Sequence, residues 1–238
     1  MIKDSPILAH GELKEIFSDI FFVMGTNVTI HEGVKLQHSC NMVIVKSGNK
    51  LTLINTIRLS DKGLAMLDNL GKVTNIVRIG AFHGKHDAFY VNRYSAKLWA
   101  LKGMQDENNK KTDIDLTPNG KMPFPGCSLF VFETSAHPEG ILHINREGGI
   151  LITCDSIKNW TYSDEFFSKQ TAKLYEDLGF FGSATISEIW QQTCNVQAQD
   201  FLKLKLLSFH HLFSAHGEPL INKAYEQLTA TIKQKFGI

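Results

Sequence analysis

Residues 73–90 read VTNIVRIGAFHGKHDAFY. The β-branched and apolar run from Val73 to Ile79 predicts a strand that ends at Gly80 and delivers the chain into a loop bearing His83, Lys85, His86 and Asp87. Asp87 to Ser95 then predicts a short helix, and Ala96 to Ala100 (AKLWA) another buried strand. Upstream, Ser60-Asp61-Lys62-Gly63 precedes Leu64, Met66, Leu67 and Leu70, an apolar set at mostly helical spacing that stops at Gly71. Strand and helix alternate here as they do in α/β folds.

Working outward, Asn41 to Val45 and Leu51 to Asn55 flank Ser47-Gly48-Asn49-Lys50, whose glycine and asparagine are turn formers, so a β-hairpin is expected. Ser128 to Phe132, Ile141 to Ile144 and Gly149 to Cys154 predict three more strands in an antiparallel block. Helices are expected over Ser183–Cys194 and Gln197–Lys205, a strand over Leu206–Phe213, and a closing amphipathic helix over Leu220–Phe236. The polar stretch 105–125, rich in Asn, Pro and Gly, reads as a functional loop or insertion within one domain spanning 1–238, since a loop of this size is seldom a hinge. No repeat of fixed period is present.

Composition narrows the class. Hydrophobic residues make up 43% of the chain and charged residues 21%, which suits a globular core. Lys and Arg total 25 against 24 acidic residues, with no basic stripe, so nucleic acid is not an expected partner. The run Asn108-Asn109-Lys110-Lys111 reads as a solvated loop. The N-terminus from Met1 to Pro6 lacks a signal-like apolar core, and no apolar run is long enough to span a bilayer. Cys40, Cys127, Cys154 and Cys194 form no close pair, which favours a reducing, cytoplasmic setting.

Imidazoles and carboxylates that fall where strands end are candidates for metal ligation, because ligands must converge from several loops. Four places qualify: His83 to Asp87, His137 in SAHPEG, Asp155 in ITCDS, and His216 in SAHG. His210-His211 lies in an apolar run, where one ring is expected in the core and its neighbour on the opposite face. Ser135 and Ser214 have histidines nearby but no G-x-S-x-G elbow, and neither a P-loop nor a Rossmann glycine fingerprint occurs. Trp99, Trp160, Trp190, Phe166 and Phe167 are read as core or pocket wall, with Trp160 to Phe167 as a candidate substrate lid.

The order of these motifs resembles the metallo-β-lactamase superfamily, from about Asn41 to about Pro219. NMVIVKSGNKLTLINT is similar to the family's opening strands, although Asn55 stands where an aspartate is usual. His83 falls on the first histidine of H-x-H-x-D-H and Asp87 on its aspartate, while Lys85 and Ala88 occupy the places of two histidines. His137 looks like the H-x-x-G histidine, Asp155 like the bridging aspartate and His216 like the last histidine.

The resemblance implies a four-layer αββα sandwich and a metal-dependent hydrolase of a small ester, thioester, lactone, amide or phosphoester. One metal position would see His83, His137 and Asp155, the other Asp87, Asp155 and His216. Zinc is the expected metal and iron the alternative, which would also admit an oxidoreductase. One metal is expected rather than two, because the Lys85 ammonium opposes a second cation. Asp87 would orient water or take its proton, and His216 or Lys85 would steady an oxyanion. His86 is a substitute ligand only if it turns inward. The reading from another class is a non-catalytic protein that binds a small molecule or partner, with Lys85 in place of a metal and its charge neutralising Asp87 and Asp155.

Overall fold

The computed structural model describes residues 6–104 and 112–238. The Asn108-Asn109-Lys110-Lys111 run and residues 1–5 lie outside the described residues. Seven strands form one sheet in chain order: β1 (Lys14–Phe17), β2 (Ile20–His31), β3 (Val34–Ser47), β4 (Lys50–Ile54), β5 (Lys72–Arg78), β6 (Lys97–Leu101) and β7 (Ile114–Leu116). Pairing is antiparallel from β1 to β4 and parallel from β4 to β7, with α1 (Asp61–Leu70) crossing from β4 to β5 and α2 (Asp87–Tyr94) from β5 to β6.

A second sheet of β8 (Cys127–Val131), β9 (Gly140–Ile144), β10 (Ile150–Thr153) and β11 (His211–Ser214) has the order β11-β10-β9-β8. Its first three strands are antiparallel neighbours, and β11 joins β10 in parallel. The other helices are α3 (Lys169–Asp177), α4 (Glu188–Cys194), α5 (Ala198–Leu204) and α6 (Ala224–Phe236).

The layering follows from period-two burial. In β3, Val43 and Val45 face the second sheet and join Ile152 and Phe213 in one core, while Met42 and Ile44 face Leu64, Leu67 and Tyr90 on the helical side. Beyond the second sheet, Leu151 and Leu212 pack on Trp190, Phe201 and Leu228. Helices, sheet, sheet, helices is the αββα sandwich expected from the resemblance, and strands buried on both faces explain the near-continuous apolar runs. No helix among the described residues is long and apolar enough to cross a membrane.

Several elements differ from the sequence expectation. The 105–125 stretch includes edge strand β7, and the Pro123 carbonyl accepts from Asn75 Nδ2 at 3.0 Å. α4 begins only at Glu188, because Ser187 caps it and Thr185 is held in a bridge to Lys158. β11 begins at His211, since the chain after α5 turns through Leu206 and Leu207 with Leu206 exposed. α6 begins at Ala224, because Leu220 pairs with Leu212 and Asn222 has φ +63°. Strands β1 and β2 and helix α3 carried no expectation.

Candidate metal centre at the strand ends

Register builds the centre. β10 and β11 run in parallel with Thr153 opposite Ser214, so the residues two positions further on, Asp155 and His216, emerge side by side. β5 ends at Arg78, and the loop after it brings His83 to the same place. That loop is tied to the second sheet by Gly140 N–H donating to the Ile79 carbonyl at 2.8 Å. His216 Nε2 lies 3.0 Å from Asp155 Oδ1, His83 Nε2 lies 3.4 Å from Asp155 Oδ2, and the two Nε2 atoms are 3.2 Å apart. Cys154 Sγ is also within 4.8 Å of donor atoms of His83 and Asp155, so a thiol and the His216 imidazole both stand beside that pair.

These separations test whether a cation fits. For metal bonds of about 2.0–2.1 Å, corners of a tetrahedral site lie about 3.3 Å apart, close to the 3.2 Å between the two rings and to the 3.0 and 3.4 Å from each ring to its own Asp155 oxygen. The polar contacts of His216 ask for one. A neutral imidazole has a single N–H. If it sits on Nδ1, donating to the Ser39 carbonyl at 3.2 Å, then Nε2 and Asp155 Oδ1 are two acceptors 3.0 Å apart. If it sits on Nε2, the same conflict moves to Ser39. An imidazolium would satisfy both, yet burial first and then the Lys158 charge push the His216 pKa down to about 3. A metal held by Nε2 and the carboxylate would remove the conflict, and the Ser39 carbonyl would then orient the ring.

Asp155 is held ionised. Burial acts to raise its pKa, but His83, Lys158 and the hydrogen bonds from the histidines keep it well below the usual carboxylate range. Lys158 Nζ stands 3.4 Å from Asp155 Oδ1 and 5.2 Å from the Trp160 ring centroid. Behind the carboxylate, buried Glu139 accepts from Ser156 N–H at 2.6 Å and from Trp190 Nε1 at 3.2 Å, and burial followed by the Asp155 charge raises its pKa to about 8.

The other sequence candidates lie apart from these donors. Asp87 is buried, with Oδ2 accepting from Arg78 Nε at 2.8 Å and Oδ1 from Thr56 Oγ1 at 2.6 Å. Lys85 is exposed and reaches the Val28 carbonyl at 3.4 Å. The cations beside Asp87 and Asp155 are therefore Arg78 and Lys158, where the sequence pointed to Lys85. His137 is exposed, its ring centroid 5.3 Å from that of Phe82. His86 is buried, and burial lowers its pKa to about 4.

Asn55, at φ +55°, donates from Nδ2 to the Thr153 carbonyl at 2.9 Å, a bond that an ionised aspartate in its place could not make. His211 is buried and His210 exposed. Trp160 and Phe166 are buried, and Phe167 packs on Trp160, so this segment forms a wall behind His216. A cleft of about 410 Å³ opens at His83, lined also by Asn27, Thr29, Arg78, Phe82 and Lys85.

The two-sheet αββα sandwich defines a fold class, and solved structures share that fold. DIM-1 metallo-β-lactamase is 15% identical, with a TM-score of 0.60 over 98% of this chain and 99% of that one. FIM-1 metallo-β-lactamase from Pseudomonas aeruginosa, in its mono-zinc form, is 11% identical with a TM-score of 0.63, covering 98% and 97%. A metallo-β-lactamase from Pontibacter korlensis is 11% identical with a TM-score of 0.58, covering 94% and 99%. No protein-family model and no curated protein matches the sequence. The chain has the metallo-β-lactamase fold over nearly its whole length.

Proposed function

We propose that this protein is a metal-dependent hydrolase of a small-molecule substrate that works with a single metal, zinc first and iron second among those its donors admit. The observation that carries this reading is the pair of contacts His216 makes, with Asp155 Oδ1 and with the Ser39 carbonyl, which no neutral tautomer of the histidine satisfies together. A one-metal reading is supported by the existence of a mono-zinc form of FIM-1, which shares this fold.

His83, Asp155 and His216 would hold the metal. When bound, it supplies Lewis acidity, polarising a scissile carbonyl or phosphoryl oxygen and making water more acidic. His83 is the donor that opens onto the cleft, whose volume of about 410 Å³ suits a small molecule. Lys158 is the ammonium beside the donors, and it would hold a carboxylate or a developing oxyanion once Asp155 is engaged. Exposed Phe82, against His137, gives the mouth an apolar rim. The four unpaired thiols support a cytoplasmic setting.

One observation favours the alternative, a binding protein without catalysis. Arg78 and Lys158 already neutralise Asp87 and Asp155, so the site's charges balance without a metal. Elemental analysis of protein purified without chelator, for the wild type and Asp155→Ala, separates the two. About one zinc or iron per chain, lost in the variant, supports the hydrolase. Metal-free wild type that stays so after reconstitution sinks it and leaves the binding protein.

A further inference from the structure

We infer that the Arg78 guanidinium is the built-in occupant of the second cation position, so that Asp87 binds neither metal nor water and the centre accepts one metal only. This rests on the metal reading above and deepens it. The resemblance would have Asp87 face a second metal, yet the Asp87 found here does not fit that role. Both of its oxygens are engaged, Oδ2 by Arg78 Nε at 2.8 Å and Oδ1 by Thr56 Oγ1 at 2.6 Å. Arg78 and Asp87 have side-chain exposures of only 4% and 1%, so water does not weaken the pair. A guanidinium keeps its charge at any physiological pH and cannot be displaced as a metal can.

The surrounding chain is shaped to this arrangement. Gly84, one turn before the helix, has φ +112°, and a Cβ there would overlap the guanidinium. Arg78 Nη2 donates to the Gly84 carbonyl at 3.4 Å, so the loop that carries His83 folds around the arginine. Arg78 and His83 line the same cleft, which puts the fixed cation beside the donor of the remaining metal. Lys85, by contrast, points to the Val28 carbonyl and leaves Asp87 to Arg78.

The test is zinc stoichiometry by native mass spectrometry at excess zinc, with competition against a chromophoric chelator to rank affinity, on the wild type, Asp87→Asn and Lys85→His. Expected are one zinc in all three, and an affinity in Asp87→Asn within about tenfold of the wild type, the mild end of outer-shell effects. Two zincs in the wild type or in Lys85→His overturn the inference, as does a folded Asp87→Asn that loses zinc or binds it more than about a hundredfold more weakly. Lys85 is exposed, so its variant decides the matter if Asp87→Asn does not fold. No zinc in the wild type fails the metal reading itself, an outcome distinct from a second zinc.

Discussion

Arg78 Nε and Asp87 Oδ2 are 2.8 Å apart in the interior, at the junction of β5, the His83 loop and α2. Removing one member of such a pair strands the other's charge. Arg78→Met is expected to cost about 3–5 kcal/mol in urea denaturation, and Asp87→Asn less, because the amide keeps an acceptor for Thr56. The double variant should fall short of the sum of the singles by on the order of 1–3 kcal/mol. Strict additivity would mean that the two side chains are not coupled.

Gly84→Ala attacks the same place through the backbone. The position combines φ +112° with no room for a Cβ beside the guanidinium. A loss of about 2 kcal/mol or more is expected from strain and displacement of Arg78 together. In Arg78→Met, where the guanidinium is absent, the same glycine change should cost less. An equal cost in both backgrounds would assign the whole effect to the dihedral angle.

The layers and the donors were legible for one reason: strands that end in loops carry both a compact apolar run and the polar residue that follows it. VTNIVRI followed by His83, and GILIT followed two residues later by Asp155, show this. Strand β2, IFFVMGTNVTIH, was not, because its first half is buried on both faces and its end is exposed, so no single period runs through it. Arg78 was hidden inside an apolar strand, and its partner lies nine residues away across a glycine loop, a pairing that only the fold creates. Lys158 sits three residues after Asp155, where the chain enters a bridge to Thr185 and spacing does not reveal direction. Glu139 was passed over within SAHPEG, since an acid beside a candidate histidine is normally solvated.

His38 gives a pH dependence whose sign is fixed by burial. Its ring lies within the aromatic wall of Trp160 and Tyr175, and desolvation lowers its pKa from 6.5 to about 4. Between those two values the unfolded chain binds a proton that the folded chain does not, so stability falls as pH drops from about 6.5 toward 4, by up to about 1.4 kcal/mol per pH unit. His38→Phe should flatten that slope relative to the wild type in zinc-free protein. Parallel stability curves from pH 7 to pH 4.5 would rule out the buried neutral ring as a source of acid sensitivity.

Glu139 is expected to act on Asp155 through the turn between them. Its two oxygens take the Ser156 N–H and Trp190 Nε1, both donors otherwise buried. Glu139→Ala strands both and should destabilise by about 2–4 kcal/mol, while Glu139→Gln, which retains one carbonyl acceptor, should lose less. Because Ser156 follows Asp155 directly, loosening its N–H frees the carboxylate to turn from His83 and His216. Zinc affinity should then fall by about 10–100-fold in Glu139→Ala, as for other groups that orient a ligand. Trp190→Phe is the control, since it removes one donor and leaves Ser156 anchored. It should shift stability and spare zinc affinity, and an equal loss of zinc in both variants would place the effect in general loosening of the helical layer rather than in the turn.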